Sequence, residues 1–287
     1  MNSSPIEAAG WAHRGRSLSG AGLAILSMCC VQFGAALSQA LVDRLGVFGA
    51  TAWRLAIAAV MLSLWRRPKL SRLPRGAWLV TLLLGAAMAG MLMGFFAAIR
   101  TLPQGLAAAI NLLGPLWLAW RADTRPRRGL WPLLALLGIL ALARHGERWT
   151  VDMAGLAWAA MGAACWAAYI ILLRRAGEVC QGCDGVALAL PFAGLLAAPF
   201  CWLGGAPAPG ELAQLAGLSL LMPVLPYLLE LAALRRLNPA PFGVLMSLEP
   251  AVAVLAGAVL LGQALAPWQL AGLAMVTAAS LGAMAET

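Results

Sequence analysis

The sequence predicts an all-α integral membrane protein of ten transmembrane helices arranged as two inverted five-helix repeats, and three observations carry that prediction. The chain of 287 residues is 62% hydrophobic and only 11% charged, with a mean hydropathy of +0.84, far above that of a water-soluble domain. Its apolar residues fall into ten blocks separated by short polar stretches. The two halves of the chain also match one another at a nearly fixed offset. The composition excludes intrinsic disorder, because so apolar a chain readily buries surface. The net charge of +9 is not a nucleic-acid footprint, since the basic residues sit in clusters between apolar blocks rather than along one stripe.

A helix needs about 20 apolar residues to cross roughly 30 Å of hydrocarbon. In chain order the blocks are 20–41, 47–65, 77–99, 105–120, 129–143, 153–173, 185–203, 212–234, 242–261 and 268–284. The fourth, fifth and tenth have 16, 15 and 17 residues, at or below the usual lower limit, and are kept because the internal repeat requires them. The first follows a basic stretch, as a signal peptide does, but at 22 residues it is too long for a typical signal core and is read as a retained span.

Ten spans place 15 Lys and Arg on the amino-terminal side, four on the other, and Arg54 inside a span. This asymmetry predicts that both termini are cytoplasmic. Trp65, Trp78, Trp120, Trp131, Trp202 and Trp268 fall at span ends, where an amphipathic ring prefers the headgroup layer.

An offset of 135 residues aligns Leu113 with Leu248, Pro115 with Pro250 and Pro132 with Pro267, and an offset of 133 aligns Gly22, Leu23, Ala24 and Met28 with Gly155, Leu156, Ala157 and Met161. The predicted organisation is a cytoplasmic tail at 1–19, a first five-helix repeat at 20–150, a second at 151–284 and a short tail at 285–287. Five is odd, so the second repeat enters the membrane in the opposite sense, the architecture of many secondary transporters. Helix interruptions are predicted at Gly114 and Pro115 in span four, at Pro226 in span eight and at Pro250 in span nine. Proline removes a backbone donor and frees a carbonyl, and paired interruptions point to a midplane binding site. A simple packing kink is the competing reading.

Arg54, Glu230 and Glu249 are the normally charged residues well within spans, and each costs about 2.5–3.5 kcal/mol at a central position, so each is expected to face the interior with a partner or water. Glu249 lies roughly 10 Å in from the cytoplasmic end of span nine. Two readings stand. Arg54 forms a structural ion pair with Glu249 or Glu230; or Glu249 is a site for a substrate ammonium or a proton, and Arg54 for a carboxylate. Glu230 shares a helical face with Pro223, Pro226 and Tyr227, so carboxylate and phenol would line one cavity, unless Glu230 snorkels to the interface. Asn111, one turn before Pro115, is polar in an apolar stretch and is placed on the same pathway or in an interhelical bond. Trp166 and Tyr169 read as core packing, and Gly90 and Gly94 as a helix contact.

The remaining residues carry little chemistry. Cys29, Cys30, Cys165 and Cys201 are within spans, and Cys180 and Cys183 lie on a predicted cytoplasmic loop without a second ligand pair, so neither zinc nor a stable disulfide is expected. No Walker loop, HExxH or GxSxG pattern is present, so neither an enzyme nor a cofactor is predicted.

The runs Gly162-Ala-Ala-Cys-Trp-Ala-Ala-Tyr169, Leu225-Pro-Tyr-Leu-Leu-Glu230 and Phe242-Gly-Val-Leu-Met-Ser-Leu-Glu-Pro-Ala251 resemble the EamA-type members of the drug/metabolite transporter superfamily, most of all its bacterial threonine and homoserine exporters. The resemblance extends over roughly residues 20–284. It implies ten helices in two inverted repeats, a multi-pass place in the bacterial inner membrane, and efflux of small amino acids or related metabolites. Arg54, in Thr51-Ala-Trp-Arg54-Leu, matches the family's second-span arginine, whereas Gln263 stands where members often carry an acidic residue. The expected partners are a small amino acid substrate, protons and the lipid bilayer, with no nucleic acid. Arg54 would attract the substrate carboxylate, and Glu249 and Glu230 its ammonium or an exchanging proton. A carrier of drugs or lipid-linked sugars and a non-transporting scaffold are the alternatives.

Overall fold

The computed structural model describes residues 5–66, 75–122, 130–145, 148–149, 152–179, 185–234, 236, 245–246, 248–264 and 266–285. The predicted Cys180 and Cys183, the basic stretches 67–74 and 123–129, and 242–244 of the ninth span lie outside the described residues.

Among the described residues the regular structure is helical apart from two-residue strands at Arg144–His145 and Arg148–Trp149, which pair antiparallel between the halves. The first span is α1 (Pro5–Leu37), continued past Ser38 by the short α2 (Gln39–Leu45). The second and third are α3 (Val47–Arg66) and α4 (Arg75–Ala98). The fourth is broken into α5 (Gln104–Asn111) and α6 (Leu113–Ala122), and the fifth is α7 (Leu130–Ala143). The sixth is α8 (Met153–Val179), and the seventh is α9 (Gly185–Ala197) with a 3₁₀ turn, Ala198–Trp202. The eighth is also broken, into α10 (Pro209–Ser219), a π-type turn, Leu220–Val224, and α11 (Leu225–Leu234). The ninth and tenth are α12 (Glu249–Leu261) and α13 (Pro267–Ala285). Among the described residues the predicted spans fall on helix, and the fourth and eighth, two of the three for which interruptions were predicted, are discontinuous.

Among the described residues five helical stretches, within α1, α3, α4 and α8 and across the broken Pro209–Glu230, are long and apolar enough to cross a bilayer, and Gln104–Leu118, Leu130–Ala143, Ala187–Trp202 and Glu249–Leu261 are shorter apolar pieces. The surface agrees with a lipid solvent: Leu26, Val60, Leu64, Leu79, Leu133, Leu195 and Val259 point outward from six different helices. Trp65, Trp78, Trp202 and Trp268 are also exposed.

Small residues set the interior. Helix α4 packs on α8 and α9, α3 on α9, α1 on α11 and α12, α5 on α12, and α7 on α13. A side chain at Gly94 would place its Cβ 2.8 Å from the Trp158 carbonyl oxygen, and one at Gly90 2.6 Å from the Cys165 sulfur, so this glycine pair is where α4 lies against α8. Gly138 and Gly272 do the same between α7 and α13, each Cβ position falling 2.6 Å from the other's carbonyl oxygen.

At one end of the bundle the connections join to each other. Arg44 reaches Glu211 at 3.3 Å, and Arg100 pairs with Asp43. Asp152 caps α8 by accepting the Gly155 N–H at 2.8 Å, and that backbone bond, with a second from the Thr101 side chain, holds its carboxyl below the usual range. A cleft of about 350 Å³ opens at this end, lined by Thr101, Pro103, Gly105, Val254, Gln263 and Gln269 among others.

Candidate functional site

Proline chemistry explains both broken helices. Pro115 cannot donate to the carbonyl of Asn111, and the chain breaks between Asn111 and Leu113, so Pro115 sits in the first turn of α6, where its missing N–H is tolerated. Gly114 beside it lets α6 lie against α8, its Cβ position falling 3.3 Å from the Ala167 nitrogen. In span eight the break falls at Met222, one turn before the predicted Pro226. The residue preceding Pro223 is driven out of helical geometry, and Met222 has φ −157° and ψ 115°. Pro226 then falls in the first turn of α11, unable to bond the Met222 carbonyl. Pro250 likewise occupies the start of α12 rather than the middle of a helix, with Leu248 as the N-cap. Spans four and nine thus restart just ahead of corresponding prolines.

Arg54 lies on α3 and is 1% exposed. Its NH2 donates to the Met222 carbonyl at 2.8 Å and the Leu218 carbonyl at 3.4 Å, and its NH1 donates to Ser38 Oγ at 2.9 Å. The Met222 carbonyl is the one the break sets free, since Pro226 has no N–H to give it, and Leu218 lies in the last turn of α10 just ahead of the break. Ser38 Oγ in turn donates to the Gly34 carbonyl at 2.5 Å, and the guanidinium lies over the Phe96 ring, 4.6 Å from its centre. An ion pair of Arg54 with a buried glutamate, one of the two readings of the sequence, is absent among the described residues. The reason is competition, since the broken helix offers carbonyls that suit the planar fork.

The glutamates have other partners. Glu230 on α11 accepts from Ser27 Oγ at 2.9 Å, and the same hydroxyl lies 3.4 Å from the Pro226 carbonyl. Ser27 is fully buried on α1, so the carboxylate is turned inward rather than snorkelling. Glu249 is the first residue of α12, where the helix dipole favours negative charge, and its Oε1 accepts from Gln32 Nε2 at 3.0 Å. Gln104, on α5, donates through Nε2 to the Gln32 carbonyl at 2.7 Å and to Gln32 Oε1 at 2.9 Å. Beside them Gln263 Oε1 accepts the Gln104 backbone N–H at 3.3 Å, so this glutamine acts there as a neutral acceptor.

The structure therefore joins Glu249, Gln32 and Gln104 in one hydrogen-bonded chain and Glu230, Ser27 and Pro226 in another, both organised by α1. Tyr227 stacks near Tyr169, with ring centres 6.2 Å apart, and its hydroxyl is buried without a partner. Asn111 packs against Gly162 on α8, and its Oδ1 is also unpartnered, as are Glu249 Oε2, Gln104 Oε1 and Arg54 Nε. Buried polar atoms left without partners are rare in native proteins, and in an apolar bundle each is costly to keep. Ser27, Gln32 and Gln104 were not among the predicted site residues. Their signal was present in the sequence: Ser27 and Gln32 are polar side chains in the first apolar span, and Gln104 stands just ahead of the fourth, directly after the turn proline Pro103.

Comparison with known proteins gives the family and the fold. The profile of the EamA-like transporter family matches residues 153–285. The threonine/homoserine exporter RhtA of Escherichia coli strain K12 is 36% identical over 262 residues, an alignment covering 90% of this chain and 88% of the exporter. The exporter of the same name from Salmonella typhimurium strain SL1344 is 35% identical over 266 residues, with the same coverage. A crystal structure with 20% sequence identity superposes with a TM-score of 0.62 over 95% of this chain and 96% of its own, a likeness of fold.

Proposed function

The chain belongs to the EamA-like transporter family, and from that membership we propose that it is a secondary exporter of small amino acids of the threonine and homoserine kind, or of related metabolites, in the bacterial inner membrane. The observation that carries this reading is the buried group of acceptors around Glu249, Glu230 and Tyr227, which suits a small polar solute carrying hydrogen-bond donors. Glu249 receives the ammonium group or an exchanging proton, Glu230 assists it, and Asn111 and Tyr227 line the same path.

In this reading transport proceeds by alternating access between two inverted five-helix halves, 20–150 and 151–284. The helix partners support the division. Helix α4 of the first half packs on α8 of the second, as α11 of the second packs on α1 of the first. Helices α5 and α6 pack on α8, as α12 packs on α1; α3 with α9, α5 with α12 and α7 with α13 are pairs between corresponding spans. The outer ends of both halves meet where Arg44 and Arg100 find their acids, and the termini are cytoplasmic.

An impermeant thiol reagent applied to intact spheroplasts should label a cysteine placed at exposed Gly210 and spare Cys180 and Cys183, in a background lacking the other cysteines. The reverse pattern would contradict the proposed orientation. Overexpression should raise resistance to toxic external threonine or homoserine and lower the intracellular pool. Unchanged pools across an amino-acid panel, with the protein shown to be in the membrane, would favour a drug or lipid-precursor substrate.

A further inference from the structure

The hydrogen-bond chain at Glu249 has a direction, and its direction defines what the outer end can bind. Gln104 Nε2 makes two bonds, to the carbonyl and the side-chain oxygen of Gln32, so both of its hydrogens are used. Turning the Gln104 amide over would set its oxygen against two other acceptors. Its Oε1 therefore remains as an acceptor only, fully buried and without a donor. Gln32 is fixed in the same way: its oxygen is held by Gln104, and its nitrogen is held by Glu249. At the inner end of the chain Glu249 Oε2 is a second buried acceptor without a donor.

The two open acceptors differ in kind. A carboxylate oxygen suits a charged donor, and an amide oxygen suits a neutral one. We propose that Gln104 is a specificity-determining residue that accepts a hydrogen bond from the side-chain hydroxyl of the substrate while Glu249 holds its ammonium, with Gln32 as the positioning residue that orients both acceptors. This rests on the reading of the protein as an amino-acid exporter and adds to it a reason for preferring hydroxylated solutes. A substrate lacking the hydroxyl leaves a desolvated acceptor unpaired, which on general grounds lowers kcat/KM by roughly ten- to a hundredfold.

The test uses pairs of equal shape, threonine against valine and homoserine against norvaline, in uptake by inverted vesicles containing the intact protein. The wild type is expected to favour the hydroxylated member of each pair by at least about tenfold. Gln104→Leu and Gln104→Met, which fill the volume without an acceptor, should bring the ratio close to one, mainly through KM for the hydroxylated member. Gln104→Asn, which keeps an amide acceptor withdrawn by one methylene, should retain part of the preference. Equal transport of threonine and valine by the wild type would overturn the role of Gln104 and leave the exporter reading intact. So would a normally abundant Gln104→Leu with an undiminished ratio. Transport of neither pair by the wild type would overturn the exporter reading and this inference with it. The wild-type ratio stands as a test even if the variants fold poorly.

Discussion

Glu249→Gln is expected to reach the membrane at normal abundance and to lose coupled export. Glutamine keeps the shape and an oxygen able to accept from Gln32, so the contact at 3.0 Å between α1 and α12 survives. What disappears is the negative charge at the start of α12 and the ability to take and release a proton. A hydrogen bond to a charged group contributes about 1.5–3 kcal/mol, so export should fall by roughly ten- to a hundredfold. Glu249→Asp, which keeps the charge but withdraws it by one methylene, should retain part of the rate. Full transport by well-expressed Glu249→Gln would exclude a role for this carboxylate in the transport cycle.

Arg54→Leu should have a comparably large effect with a different signature. Its guanidinium joins α3 to the break in span eight and to the end of α1, and its removal leaves the Leu218 and Met222 carbonyls and the Ser38 hydroxyl short of a donor. Unpaired buried groups cost about 1–3 kcal/mol each, though bonds between membrane helices average about 0.6 kcal/mol, so a total on the order of 2–4 kcal/mol is expected. Membrane abundance and thermal stability should drop, and Arg54→Lys, with one ammonium in place of a planar fork, should recover them only partly. Because Arg54 and Glu249 have separate partners, the double replacement Arg54→Leu with Glu249→Leu should be no better than the worse single variant. Rescue by the double variant would instead revive the ion pair. Normal abundance with a raised KM in Arg54→Ala would assign the guanidinium to the substrate carboxylate.

The spans were legible because lipid imposes a length and a composition on each helix, and tryptophans and arginines mark the ends. The second span, predicted at 47–65, is the helix Val47–Arg66, and even the short fifth, predicted at 129–143, is Leu130–Ala143. The position of the break in span eight was not legible, because three features compete there: Pro223 reshapes the residue before it, Pro226 frees a carbonyl, and the arginine that satisfies that carbonyl lies 168 positions away. Glu249 was visible as a charge in an apolar run, but its partner Gln32 lies 217 positions away in sequence. Glutamine and serine are inexpensive enough in a span that a search guided by charge passes over them, whereas burial makes their unpaired atoms conspicuous once the helices are assembled.

Uptake of labelled threonine and homoserine into energised inverted membrane vesicles, compared between wild type, Glu249→Gln and vesicles lacking the protein, tests the central claim most directly. Saturable uptake is predicted for the wild type, with each amino acid competing against the other, and near-background uptake for Glu249→Gln at equal abundance. Wild-type uptake indistinguishable from vesicles lacking the protein, across both substrates, would contradict it.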